Sequence, residues 1–208
     1  NEPFASRYAF VELITGLLTL CVYLIYGMGQ PFVIYLSLTY LLIAVTFVDI
    51  DHFIIPNGFV FIGLAILAFA LLFEWIPIEW EDSLSGAFVF AGFLFAIGLI
   101  GQFILKKESI GFGDVKLGLV LGGFLGTEYS ILALYLSFAL SAIIIFIMMG
   151  GKLIEKNAKI PFGPYVAAGT LISLFTITPF GSNYILSRGL CIIYKRKFFY
   201  SPRSISRS

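Results

Sequence analysis

The sequence predicts an all-α protein, a polytopic transmembrane helix bundle of about seven spans, with six to eight as the range. Two observations carry this expectation. Of 208 residues, 60% are hydrophobic, 12% are charged and 23 are Phe, whereas roughly a quarter of a soluble domain is charged; mean hydropathy is +1.01. One core cannot hide so much apolar surface, so the excess faces lipid. The apolar residues also fall into separate runs close to the roughly 17–25 residues that cross a bilayer. A soluble enzyme, a nucleic-acid binder and a disordered chain are thereby excluded. The net charge of +1 gives no case for a polyanionic partner.

In chain order the runs lie at about 9–26, 31–50, 55–73, 84–105, 110–126, 129–150 and 164–181. The first follows Arg7, and the second ends with Asp49 and Asp51. Pro56 and Asn57 start the third, proline being tolerated in a first turn. The loop after it is acidic, with Glu74, Glu79, Glu81 and Asp82, and Lys106 and Lys107 follow the fourth run. The fifth contains Asp114 and Lys116, and its uninterrupted apolar part, 117–126, suits a re-entrant segment as well as a span. Glu128 alone marks the next turn, and Lys152, Lys156 and Lys159 follow the sixth run. Basic residues collect on cytoplasmic loops, so seven crossings with a cytoplasmic N-terminus satisfy all these loops. The tail dissents, since Arg188, Lys195, Arg196, Lys197, Arg203 and Arg207 would then lie outside. The expected division is a membrane-embedded domain at 1–182 and a basic tail at 183–208. The chain begins Asn1-Glu2-Pro3 without Met, as a processed product or a fragment would.

The chemical inventory narrows the function further. One histidine, His52, and two distant cysteines, Cys21 and Cys191, cannot form a four-ligand structural zinc site, and no metal is expected. No HExxH and no GxSxG occurs. Gly118, Gly122 and Gly126 recur every four residues, a face that lets a neighbouring helix approach closely. The segment beginning at Asp114 is therefore expected among helices, away from lipid.

Acids in or beside spans are costly and mark function. Here they are Glu12, Asp49, Asp51 and Asp114, with Lys116 the accompanying base. The topology brings Asp49 and Asp51 to the same depth as Asp114, at the cytoplasmic edge. Two converging carboxylates share a proton, so one can activate water while the other donates to a carbonyl. A proton- or cation-coupled transporter could use the same acids. Alternatively Asp49 and Asp51 are solvated caps and Asp114 pairs with Lys116. Gly111 and Gly113, just before Asp114, allow backbone to leave helical geometry and approach a substrate strand.

Gly111-Phe112-Gly113-Asp114-Val115-Lys116-Leu117 resembles the GxGDxKL signature of the type IV prepilin peptidases, a branch of the GxGD membrane aspartic proteases. Val48-Asp49-Ile50-Asp51-His52-Phe53-Ile54-Ile55-Pro56-Asn57 resembles that family's first catalytic motif, and Ile160-Pro161-Phe162-Gly163-Pro164-Tyr165 its IPFGPY-type stretch. Ser6-Arg7-Tyr8, Val11-Glu12-Leu13 and Thr15-Gly16 are similar to the start of its first core helix. The matches run from about residue 6 to 170.

The resemblance implies a membrane aspartic endopeptidase of the bacterial inner membrane. It would remove the basic leader of type IV prepilins or pseudopilins at the cytoplasmic face, with Asp49 and Asp114 as the catalytic pair. The spacing to Pro56 favours Asp49 over its rival Asp51, which becomes a solvated neighbour. Lys116 is a counter-charge or a modulator of one acid, and His52 an interfacial polar residue. Glu12 would meet the substrate's amine, serve a methyl-transfer site or bond among helices. Peptidase activity implies no cofactor. Many members add a CxxC-bearing region and methylate the new N-terminus with S-adenosylmethionine. No such cysteines occur here, so that cofactor is expected only with a region outside this chain.

Overall fold

A computed structural model describes residues 3–105, 111–151 and 160–176. Their regular structure is all helical: α1 Pro3–Tyr26, α2 Gln30–His52, α3 Asn57–Leu72, α4 Trp80–Leu105 and α5 Phe112–Gly150, then α6 Gly163–Thr176. Tyr8–Tyr26, Gln30–His52, Trp80–Phe103 and Phe112–Gly150 are long and apolar enough to cross a membrane, whereas α3 and α6 are shorter apolar helices. The third run is shorter than 55–73 because Pro56 stands at the N-cap in extended geometry (φ −62°, ψ 136°), outside the first turn. The loop lysines 106, 107, 152, 156 and 159 and the tail 183–208 lie outside the described residues.

The 39 residues of α5 would rise about 58 Å if straight, roughly twice a hydrocarbon core. They do not run straight. Gly126 has φ 71° and ψ −179°, outside helical geometry. The Ser130 hydroxyl donates to the Gly122 carbonyl at 3.4 Å, although residues eight apart in one helix are about 12 Å apart along its axis. From Gly86 along α4 to Phe93 and Leu94, contacts retreat from Gly122 to Gly118 on the first arm of α5. On the second arm they advance from Ser130 to Phe138. The two arms are therefore antiparallel neighbours against α4, divided where the apolar pattern separates its fifth and sixth runs. The first arm is helical from Phe112 onward; it is not an irregular re-entrant loop.

Close backbone contact holds α4 to α5. A Cβ on Gly122 would strike the Gly86 carbonyl oxygen, and one on Gly86 would strike that of Gly122. Gly118 faces Phe90 and Leu94, and Gly126 faces the Asp82 carboxylate, where a Cβ would lie 2.5 Å from Oδ2. The turn is secured by Asp82 Oδ1, which accepts the Thr127 N–H at 3.1 Å. Ser85 and Thr127 share a hydroxyl hydrogen bond of 2.6 Å. The small-residue stripe thus packs as the sequence implies, and the first arm of α5 is buried among helices.

α3 fits between α2 and α5, with Gly63 against Leu41 and Val120. α1 rests on α2 through Tyr26 and Tyr35, whose rings lie 4.4 Å apart, and the Tyr26 hydroxyl reaches the Leu174 carbonyl of α6 at 3.2 Å. Outside this core, large apolar side chains such as Leu24, Phe61, Phe103 and Phe146 are exposed, at 70–80%, as suits a surface bathed in lipid.

Gly122→Ala should therefore lower stability by about 1–3 kcal/mol through overpacking. Gly92→Ala, on the same α4 with open space at its Cβ position, should stay within ~0.5 kcal/mol. Thermal denaturation in detergent micelles compares them. Equal midpoints would show that the Gly86–Gly122 contact does not hold these helices together.

Candidate active site

One end of the bundle gathers the C-terminus of α2 and the N-termini of α3, α5 and α6. Asp49 lies in the last turns of α2, with 5% of its surface exposed. Its carbonyl accepts the Phe53 N–H at 2.8 Å, closing the helix with Phe53 in the left-handed region at φ 54°. That geometry costs a non-glycine residue about 1–2 kcal/mol, and it turns the chain sharply into Ile55 and Pro56. Asp51 and His52, beyond Asp49, are exposed. The helix period explains the difference: two residues on, a side chain has rotated to the opposite flank.

Asp114 is 8% exposed and sits at the third position of α5. Its Oδ2 reaches back to accept the Gly111 N–H at 3.2 Å, while its own N–H donates to the Gly111 carbonyl at 3.0 Å. Oδ1 is buried and has no hydrogen-bond partner among the described residues. Asp49 and Asp114 stand on helix ends joined by the α2–α3 loop, whose Ile55 packs on Gly113 next to Asp114. Buried polar atoms are ordinarily paired, and Asp114 Oδ1 stands apart from that rule.

The glycines before Asp114 make close contacts inside the protein. Gly111 is an ordinary extended N-cap (φ −69°, ψ 145°) and Gly113 lies inside the helix. A Cβ on Gly113 would meet Ile55 at 3.1 Å, and one on Gly111 would meet Asp114 Oδ2 at 3.2 Å. The room they leave admits the protein's own α2–α3 loop and the carboxylate.

Lys116 is half-buried, and its Nζ donates to Asn57 Oδ1 at 2.9 Å and lies 5.0 Å from the centre of the Phe112 ring. It ties the start of α3 to the start of α5. Pro56 caps α3 and Asn57 is its first residue. Glu12 is on the exposed side of α1. The structure thus brings Asp49, Asp114, Gly111, Gly113, Lys116, Pro56 and Asn57 to one end, and leaves Asp51 and Glu12 on the surface.

One residue entered the sequence reading only as part of the Ile160–Tyr165 stretch, with no partner named. The Gly163 N–H, at the start of α6, donates to Asp49 Oδ2 at 2.8 Å. A glycine framed by Pro161 and Pro164 was the visible signal, but nothing in spacing names a partner 114 positions away.

The chain resembles known proteins over most of its length. The model of the type IV leader peptidase family matches residues 36–147, a stretch that holds both buried acids. A prepilin leader peptidase/N-methyltransferase of Stutzerimonas stutzeri is 31% identical over 189 residues, covering 89% of this chain and 64% of that protein. Proteins of the same name from Aeromonas hydrophila (34% over 183 residues, 84% and 60% covered) and Legionella pneumophila (33% over 183 residues, 84% and 61% covered) are similar. The chain thus spans about three-fifths of the length of these curated relatives. No solved structure matches it significantly. With the family model covering more than half of its residues, the chain belongs to the type IV leader peptidase family.

Proposed function

We propose that this chain is the peptidase part of a membrane aspartic endopeptidase that cleaves the leader of type IV prepilins or pseudopilins. The observation that carries this reading is the buried pair Asp49 and Asp114, with Asp114 Oδ1 unpartnered among the described residues. Two adjacent carboxyls hold one proton between them. The ionised member takes a proton from water as the water oxygen bonds to the scissile carbonyl carbon, and the other gives its proton to the carbonyl oxygen. Collapse of the gem-diol breaks the C–N bond, a proton passes to the leaving amine, and the pair returns to its starting state.

The lysine-rich loops after the fourth and sixth runs support a cytoplasmic position for this end in a bacterial inner membrane. Exposed Asp51 beside the pair adds negative charge that attracts a basic leader. The family match favours this reading over a proton- or cation-coupled transporter. Methyl transfer is named for the relatives. Among the described residues, the groove between α2 and α3 is apolar apart from Ser37, whose hydroxyl donates to the Val33 carbonyl. No methyl-transfer step is assigned to this groove.

Asp49→Asn and Asp114→Asn should each reduce cleavage of a co-reconstituted prepilin by at least about a thousandfold with folding intact, whereas Asp51→Asn should retain most activity. Mass spectrometry of the released leader reads the outcome. Full cleavage by either single variant of the pair would remove that residue from the mechanism, and loss with Asp51→Asn would transfer the role from Asp49 to Asp51.

Lys116→Met removes the donor to Asn57, a charged but solvent-exposed hydrogen bond of about 0.5–1 kcal/mol. It should lower the unfolding midpoint and slow cleavage, and Asn57→Ala added to it should cost little more. Additive effects of the two substitutions would show that they do not act through one another.

A further inference from the structure

The stretch Ile160-Pro161-Phe162-Gly163-Pro164-Tyr165 has no role in the two-aspartate chemistry described above, yet it delivers the backbone donor that touches Asp49. We infer that Gly163 is a positioning residue for Asp49: the start of α6 fixes the Asp49 carboxyl in its reactive orientation, through one N–H and through the absence of a side chain.

Both acids are held in the same manner. Each commits Oδ2 to a glycine N–H at the start of a helix, Asp114 to Gly111 at 3.2 Å and Asp49 to Gly163 at 2.8 Å. For Asp114 the donor comes from its own helix, three residues back. For Asp49 it comes from another helix, since a residue near a helix C-terminus has its neighbouring N–H groups spent inside the helix. Without α6, the Asp49 carboxyl could rotate about its side-chain bonds, and the separation of the two acids would not be set.

Space adds to the hydrogen bond. A Cβ on Gly163 would stand 2.7 Å from Asp49 Oδ2, 3.1 Å from Cγ and 3.2 Å from Cβ, so any side chain there displaces the carboxyl. Pro164 sharpens the geometry. It carries no N–H of its own, and its ring disfavours helical backbone in a preceding residue that has a Cβ. Glycine satisfies both demands.

This inference rests on Asp49 belonging to the catalytic pair, and the test separates the two ideas. Three variants of the full chain in lipid nanodiscs are compared with wild type on a purified prepilin. Gly163→Ala should lower kcat by about a hundredfold, as for a displaced catalytic group, with KM within about threefold. Replacing residue 163 by glycolate, which turns the N–H into an ester oxygen and leaves the space unfilled, should lower kcat by about tenfold. Gly169→Ala crowds the same helix elsewhere, against Ser137 and the Ala133 carbonyl. It should lower the melting midpoint and leave the kcat of the folded protein unchanged. Independently of cleavage, the carbon-13 resonance of the Asp49 carboxyl should move between wild type and the glycolate variant. If wild type cuts no prepilin while that resonance moves, the proposed function fails and the contact stands. An unmoved resonance, wild-type kcat in the glycolate variant, or equal kcat losses in Gly163→Ala and Gly169→Ala would each overturn the positioning role.

Discussion

The backbone contact between α4 and α5 at Gly86 and Gly122 is the constraint on which the rest of the structure depends. Lipid tails solvate leucine as well as another helix does, so apolar burial alone does not join helices in a bilayer; close packing and hydrogen bonds do. With no side chain at either glycine, the two backbones meet, and small shifts along or around either helix are blocked. That contact sets the height and rotation of the first arm of α5. The same arm carries Val120 against Gly63 of α3 and Asp114 at its start. Asp82 extends the seam, capping the second arm at Thr127 and filling the space over Gly126.

From that frame the site follows as a meeting of helix ends. α2 stops just after Asp49 because Phe53 takes a left-handed turn, and Pro56 launches α3. Gly113 lets the intervening loop, through Ile55, lie directly on the start of α5. Helix N-termini supply unspent N–H groups and a positive dipole end. Two carboxyls can therefore be taken out of solvent here with one oxygen of each satisfied, while Asp114 Oδ1 has no partner among the described residues. Lys116 and Asn57 fasten α3 to α5 nearby. The apolar bundle thus gathers its two buried acids at one rim.

Much of this was legible along the chain because it depends on local pattern. Apolar run lengths marked the helices, and Glu128 marked the division at 126–129 within α5, despite the continuous hydropathy on either side. The motif resemblance favoured Asp49 over Asp51, and in the fold Asp49 is buried while Asp51 is exposed. For other residues the local pattern did not reveal the surroundings. Glu12 is conspicuous in an apolar run, yet lies on an exposed side. Lys116 reads from sequence as a counter-charge to an acid, while its Nζ bonds the neutral side chain of Asn57, 59 positions away.

The sequence by itself determined the class of the protein, an all-α membrane bundle, and its family motifs, because hydropathy period and short motifs are properties of neighbours along the chain. Only the tertiary structure decided what each of them faces. Gly113 meets a loop, Gly122 meets another backbone, and Asp49 is held by a glycine 114 residues distant. The reason is physical: a hydrogen bond or a missing Cβ acts over a few ångströms, and which groups come within that range is settled by how whole helices pack.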